Sequence, residues 1–170
     1  MLSNFDDKSE DNSASVKQYV VFVIEDQDFG VDITQAKEII NQTELTSIPN
    51  APDFVEGVTN LRGEIVPIIN LDRRLGINDL EREKEDTKII IVEFENTLVG
   101  MEVEDVEGII RLSTENIGEA PKITQGVNKE YISGVGKLED KNKLLILLDL
   151  NKILTRNELK QLENIEANNS

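Results

Sequence analysis

The fold is decided by the stretch Gly57-Val58-Thr59-Asn60-Leu61-Arg62-Gly63-Glu64-Ile65-Val66-Pro67-Ile68-Ile69-Asn70-Leu71. Two apolar, β-branched runs flank the dipeptide Arg62-Gly63, which is the pattern of a β-hairpin with a tight turn. Glycine supplies the permissive backbone at such a turn, so the turn itself does not require the arginine. Pro67 cannot donate a ladder hydrogen bond, and we therefore expect it at a bulge or at a sheet edge.

This hairpin has a counterpart near the end of the chain. Its first strand is repeated by Gly134-Val135-Gly136-Lys137-Leu138, and its second strand, after a longer loop, by Leu144-Leu145-Ile146-Leu147-Leu148-Asp149-Leu150. Leu71 and Leu150 align in this repeat.

An earlier hairpin is also present twice. Tyr19 to Ile24 is a β-branched and aromatic run, followed by a polar turn and an alternating strand. The same pattern returns seventy positions later at Ile89 to Phe94, and Gly30 then aligns with Gly100.

The duplication predicts the fold class. Two copies of hairpin, short helix and hairpin, at about residues 19–75 and 89–154, indicate two similar β units of about five strands each. A unit of about 70 residues buries only about 60% of its unfolded surface, so the two copies should pack against each other. We predict an all-β protein with short helices, in which two intertwined β-barrel subdomains occupy residues 16–155.

The remaining segments are predicted to lie outside these units. Residues 1–15 are polar and acidic and should form a disordered tail, because they cannot offset their own ordering entropy. Thr155-Arg156-Asn157-Glu158 has the spacing of a capping box, so residues 156–170 should form a C-terminal helix and tail. Three apolar residues follow on one face of that helix: Leu159, Leu162 and Ile165.

Charge and hydropathy exclude several classes of function. The chain has 34 acidic and 18 basic residues and a net charge of -16, so nucleic acid and anionic membranes are repelled over a Debye length of about 8–10 Å. No apolar stretch approaches the ~18 residues that span a bilayer, and Met1 to Ser15 lack the layout of a secretory signal. We expect a cytoplasmic protein with no nucleic-acid partner and no direct membrane insertion.

Enzymatic and metal chemistry find little support. Histidine and cysteine are absent, which removes the commonest general base near neutral pH and the usual zinc ligands. Asp26-Gln27-Asp28-Phe29-Gly30 places its glycine one position too early for an EF-hand. We predict no enzyme, no cofactor and no metal, and leave an acidic ion-binding or carboxylate-using domain as the alternative.

The segment from Ile48 to Leu71 closely resembles the signature of the CheW-like domain family, and the similarity covers roughly residues 16–155. The resemblance implies two tandem SH3-like five-stranded β-barrels packed around a shared core. It also implies a non-enzymatic adaptor in bacterial chemotaxis, which couples the cytoplasmic tip of methyl-accepting chemotaxis proteins to the regulatory domain of the histidine kinase CheA. A CheW-like scaffold of another chemosensory pathway remains an alternative.

The resemblance also nominates site residues. It implies receptor binding by Arg62, with Ala36, Glu38 and Gly57 close by, near the groove between the barrels. Ala36 departs from the larger branched residue that relatives often carry, which puts receptor affinity at that position in question. Candidates for kinase contact are Val106 and Ile123, with a role in the hydrophobic core as the alternative for each.

Overall fold

A computed structural model describes residues 15–77, 87–119, 123–124, 127–138 and 143–169. The described part of the chain is mostly β-strand, with short helices and one longer helix at the C-terminal end. In chain order the elements are β1 Val16–Ile24, β2 Gln27–Asp32, β3 Ala36–Asn41, β4 Val55–Leu61, β5 Glu64–Asn70, α1 Leu71–Leu75, β6 Lys88–Phe94, β7 Thr97–Val103, β8 Asp105–Ser113, β9 Ile117–Gly118, β10 Ile123–Thr124, β11 Val127–Asn128, β12 Ile132–Leu138, β13 Lys143–Leu148, α2 Leu150–Ile153 and α3 Arg156–Asn169.

Two sheets exchange hairpins between the halves of the chain. The five-stranded sheet has the order β3-β6-β7-β5-β4, and the six-stranded sheet has the order β8-β1-β2-β13-β12-β9. Strand β5 pairs in parallel with β7, and β13 pairs in parallel with β2. The predicted fold class, all-β with short helices and a C-terminal helix, is confirmed, and the sheets are consistent with SH3-like barrels. The two-residue strand β9 makes one sheet larger than the expected five strands.

Aligned residues of the repeat occupy equivalent places in the two sheets. Gly30 lies opposite Leu147 in one parallel ladder, and Gly100 lies opposite Ile68 in the other. Helix α1 follows β5, and helix α2 follows β13. Each helix is capped by a polar side chain: that of Asn70 accepts from the Arg73 N–H, and that of Asp149 accepts from the Asn151 N–H. The halves therefore share strand order and helix position. The short helix expected between the two hairpins is wrong, because the segment after the first hairpin is strand, β3 in the first half and β8 in the second, and the short helices α1 and α2 follow the second hairpin.

One large hydrophobic cluster, here called the main core, joins the two sheets and α3. Its buried members come from both halves of the chain and include Phe22, Phe29, Ile90, Met101, Ile146 and Leu162. Burial of each such side chain contributes about 1.5–3 kcal/mol of transfer free energy. The sheets thus share a core as the sequence resemblance implied.

The predicted capping box forms at the start of α3. The Glu158 N–H donates to Thr155 Oγ1 at 3.1 Å, and the Thr155 N–H donates to Glu158 Oε1 at 2.9 Å. The three apolar residues predicted on one helical face are all buried, namely Leu159, Leu162 and Ile165.

The prediction for Pro67 is wrong. Pro67 lies inside β5, between β4 and β7, opposite Val58. The backbone N–H and C=O of Val58 are hydrogen-bonded to Thr46, on the side of β4 away from β5. The Val58–Pro67 pair therefore has no hydrogen bond for which Pro67 would have to supply an N–H. The parallel ladder to β7 begins one residue later, at Ile68, and the missing N–H therefore falls at the start of that ladder.

The described chain begins at Ser15, the last residue of the predicted N-terminal tail. Residues 1–14 of the predicted N-terminal tail lie outside the described residues. Ser15 is described, and its carbonyl accepts a hydrogen bond from the Thr114 N–H at 2.9 Å.

Candidate functional site

The β4–β5 turn holds Arg62 in an unusual backbone conformation. Arg62 has φ +52° and Gly63 has φ +91°, so both residues are left-handed, as a two-residue hairpin of this hand requires. Left-handed backbone is uncommon for a residue other than glycine, asparagine or aspartate. The Asn60 side chain secures the turn, since its Oδ1 accepts from the Gly63 N–H at 2.9 Å.

The Arg62 side chain pairs with Glu38. Arg62 Nη2 donates to Glu38 Oε2, and the two side chains are 70% and 30% exposed. Glu38 lies on β3 and Arg62 follows β4, and these strands are the opposite edges of the five-stranded sheet. The ion pair therefore spans the two edges of the sheet, which lie close together as they do in a closed barrel.

Glu38 also stabilises the charged form of Arg62. Its hydrogen bond and its negative charge raise the pKa of Arg62 above the ordinary arginine value. The guanidinium carries five N–H donors in a planar fork, and one contact to Glu38 leaves donors that face solvent. The hairpin tip is thus a cationic hydrogen-bond donor on a chain of net charge -16.

Ala36 lies two residues before Glu38, next to a β-bulge in β3. The register shifts between Ala36 and Glu38, and the intervening Lys37 forms an ion pair with Glu93, with Nζ and Oε1 3.0 Å apart. Ala36 itself is half-buried and packs against the main core. This short side chain limits how far position 36 can project toward a partner.

Gly57 lies toward the opposite end of β4 from the turn. It pairs with Ile68 at a second bulge, between Val55 and Gly57. A Cβ at this position would lie 2.6 Å from the carbonyl oxygen of Thr46, so glycine is needed for the close approach of the two segments. The structure therefore joins Glu38 and Arg62 directly, places Ala36 beside them on β3, and holds Gly57 at the other end of the hairpin.

The two kinase-contact candidates lie in the second half of the chain. Val106, on β8, is half-buried, packs against the main core and pairs with Phe22. It is the counterpart of Ala36 in the seventy-residue repeat. The backbone of Ile123, in β10, pairs with Asn128.

Two features of this region escaped the sequence analysis. Glu38 and Arg62 were both named, but their direct contact was not, because opposite charges on two distant edge strands become neighbours only when the sheet closes. Arg74 was not named at all, although it contacts both halves of the chain. Its neighbours Asp72 and Arg73 are also charged, so the local sequence gives no signal of that role.

No group of three or more acidic side chains suited to a metal ion occurs within the described residues. In the same part of the chain, no helix is long and apolar enough to cross a membrane.

The chain resembles known proteins in both sequence and structure. The profile of the CheW-like domain matches residues 18–158. The chain is similar to the chemotaxis protein CheW of Klebsiella aerogenes, with 34% identity over 149 residues that cover 88% of each protein. It is equally similar to the chemotaxis protein CheW of Treponema pallidum, with 34% identity over 151 residues that cover 87% of this chain and 88% of that protein.

A solved structure has a similar fold. The crystal structure of the scaffolding protein TtCheW from Thermoanaerobacter tengcongensis aligns with a TM-score of 0.75 at 32% identity. The alignment covers 85% of this chain and 96% of that one.

Proposed function

The chain belongs to the CheW-like domain family, and we propose that it is a non-enzymatic chemotaxis adaptor that couples chemoreceptors to the histidine kinase CheA. The relatives are named chemotaxis proteins, and the solved neighbour is named a scaffolding protein. A scaffold works by presenting surfaces, so its function lies in which side chains it displays and how firmly it holds them.

The observation that carries the proposal is the Arg62–Glu38 pair at the β4–β5 turn. Arg62 is largely exposed, is fixed at both its backbone and its side chain, and is not required by the turn. Fixing a long side chain before binding lowers the conformational entropy that binding would otherwise cost. We assign Arg62 to contact with the cytoplasmic tip of a methyl-accepting chemotaxis protein.

Charge supports this assignment. A guanidinium binds carboxylates and carbonyl oxygens through its planar fork, and a surrounding acidic surface repels partners that lack a matching group. Glu38 orients the fork and leaves its outer N–H groups for the receptor. Ala36 lies beside this pair on β3, and its small side chain allows a helical receptor segment to approach the backbone closely. Gly57, at the other end of the hairpin, is buried and supports the surface by allowing β4 to approach Thr46 closely.

Kinase contact is assigned to the second half of the chain. In this proposal the regulatory domain of CheA meets apolar strand edges near Val106 and Ile123. Val106 lies in β8, the edge strand of the six-stranded sheet, where side chains of a partner can reach it. The half-buried position of Val106 against the main core makes packing its competing role.

The adaptor would act in the cytoplasm and would join receptor arrays at the membrane through its partners. The test is co-purification of the full-length chain from its native cytoplasm and membrane fractions. We expect a chemoreceptor and a CheA-type kinase in the same eluate. Recovery of neither partner would contradict the proposal, and a large calcium-dependent rise in melting temperature would favour the ion-binding alternative.

A further inference from the structure

Arg74 occupies a junction between the two halves of the chain and the C-terminal helix. Its guanidinium carbon lies 5.1 Å from the ring centroid of Phe54 and 5.5 Å from that of Tyr131. Arg74 Nε donates to the carbonyl oxygen of Ile153 at 2.5 Å, and Nη2 donates to Glu158 Oε1 at 2.9 Å. The side chain is only 16% exposed, so these contacts are made largely away from water.

The two aromatic residues around Arg74 are structural counterparts. Phe54 precedes β4, and its carbonyl accepts from the Asn70 N–H at 2.8 Å. Tyr131 precedes β12, and its carbonyl accepts from the Asp149 N–H at 2.9 Å. Asn70 and Asp149 are the caps of α1 and α2. The backbone of each aromatic residue is therefore hydrogen-bonded to the helix cap of its own half in the same way.

Arg74 and Ile153 are counterparts as well. Arg74 lies three residues after Leu71, the first residue of α1, and Ile153 lies three residues after Leu150, the first residue of α2. The arginine of one half therefore bonds to the backbone of the equivalent residue in the other half. Ile153 differs from Arg74 in its side chain, which is apolar and buried in the main core.

We propose that Arg74 is a latch: one side chain orders the segment before β4, the segment before β12 and the start of α3 together. The planar guanidinium suits this role because its faces attract aromatic rings while its edge donates hydrogen bonds. Glu158 links the latch to the helix, since its Oε1 accepts from both Arg74 Nη2 and the Thr155 N–H.

The latch makes a prediction that simple packing does not. Removal of a side chain that only packs loosens its nearest neighbours. Removal of a latch frees three chain segments that are far apart in sequence. Amide hydrogen exchange reports such local opening separately from global unfolding. Removal of Arg74 should accelerate exchange in all three segments and leave the central strands β6 and β7 protected.

The test is hydrogen-exchange mass spectrometry of the full-length chain carrying Arg74→Met, which retains an unbranched apolar side chain but removes the planar cation. We expect amide exchange at residues 53–55, 129–132 and 156–159 to accelerate by at least about tenfold, with β6 and β7 within about twofold of the parent. Lys152→Met removes an exposed cation from α2 and serves as the matched control, for which we expect no change.

Two further variants keep the proposal testable if Arg74→Met does not fold. Arg74→Lys keeps the charge for Glu158 but loses the planar group, so exchange should accelerate at 53–55 and 129–132 while the first turn of α3 stays protected. Glu158→Gln keeps an oxygen for the Thr155 N–H but loses the charge, so the α3 amides alone should accelerate. The latch would be overturned if Arg74→Met accelerated exchange in only one aromatic segment or in none. It would also be overturned if exchange accelerated equally in the three segments and in β6 and β7.

Discussion

Gly30 and Gly100 meet aliphatic side chains at equivalent points of the two parallel ladders. A Cβ on Gly30 would lie 3.1 Å from Leu147 Cδ2. A Cβ on Gly100 would overlap Ile68 Cδ1 and lie 2.9 Å from Ile89 Cγ2. The two halves thus use the same residue for the same close approach, with less room in the five-stranded sheet.

Alanine substitution should reveal this difference. Gly100→Ala forces rearrangement of a packed core, and we expect it to lower the free energy of unfolding by about 1–3 kcal/mol. Gly30→Ala should cost less than about 1 kcal/mol, because its nearest side-chain atoms, Leu147 Cδ2 at 3.1 Å and Leu145 Cδ2 at 3.3 Å, leave the added methyl group more room. Urea denaturation of both variants measures these losses, provided that the dependence of the free energy of unfolding on urea concentration is unchanged. Equal losses, or a larger loss for Gly30→Ala, would count against the geometry.

Tyr19 should limit stability in alkaline solution. It is buried and lies opposite Asp32 in the β1–β2 ladder. Burial, and secondarily the charge of Asp32, raise the pKa of Tyr19 above 10.0. The folded state therefore keeps this proton at a pH where the unfolded state has lost it, so the contribution of Tyr19 to stability is full below pH 10.0 and is lost as the pH rises toward the folded-state pKa.

Tyr19→Phe keeps the ring and removes the titration. We expect the free energy of unfolding to fall less steeply above pH 10.0 in this variant than in the parent, while Asp32→Asn should remove a smaller part of the slope. Unfolding curves measured across this range decide the matter. An identical alkaline slope in parent and Tyr19→Phe would show that other groups account for it.

The capping box at Thr155 should stabilise the docked helix α3. Thr155→Ala removes the acceptor for the Glu158 N–H, and we expect a loss of about 1 kcal/mol in the free energy of unfolding. Thr155→Ser retains the hydroxyl and should recover most of it. Denaturation midpoints give the comparison, and a loss of similar size in both variants would argue against capping as the cause.

Charge substitution separates surface from core at the two kinase candidates. Val106→Asp and Ile123→Asp should each weaken binding to CheA if the residue lies in the interface. Affinity and melting temperature are measured together for each variant. Lost binding with an unchanged melting temperature supports an interface, lost binding with unfolding identifies a core residue, and unchanged binding removes the candidate.

Local sequence patterns were enough to place the two hairpins of each half and the start of α3, but not the segment that follows the first hairpin, which is strand where a short helix was expected. Alternation and turn residues depend on near neighbours, which is why Leu71 and Leu150 could be aligned before any contact was known. The pairing of β5 with β7, and of β13 with β2, could not be derived from those patterns, because the same alternation also permits each half to pair only with itself. The position of Pro67 could not be derived from local patterns either. An inner strand accepts this proline because Val58, its partner on β4, is hydrogen-bonded to Thr46 and not to β5.

The contacts of the candidate residues were not predictable from the sequence. Family resemblance placed Glu38 close to Arg62 but did not give their direct contact. Their ion pair depends on closure of the sheet, which brings β3 and β4 together across a sequence separation that no local pattern spans. The junction at Arg74 was missed for the same reason, because it depends on two aromatic residues from different halves of the chain.

Arg62 is expected to contribute to binding and little to folding. Arg62→Ala removes an exposed side chain, so we expect a melting temperature close to that of the parent. Arg62→Lys keeps the charge but lacks the planar fork, and it should restore receptor binding only in part. Arg111→Ala removes another exposed arginine, on β8 of the other sheet, and serves as the matched control.

The most direct measurement is the affinity of purified parent, Arg62→Ala, Arg62→Lys and Arg111→Ala proteins for a chemoreceptor cytoplasmic tip at one fixed salt concentration. We predict that Arg62→Ala weakens binding by at least about tenfold, as expected for a central interfacial arginine, while Arg111→Ala binds like the parent. Binding of Arg62→Ala within about twofold of the parent would contradict the account and would place the receptor surface elsewhere.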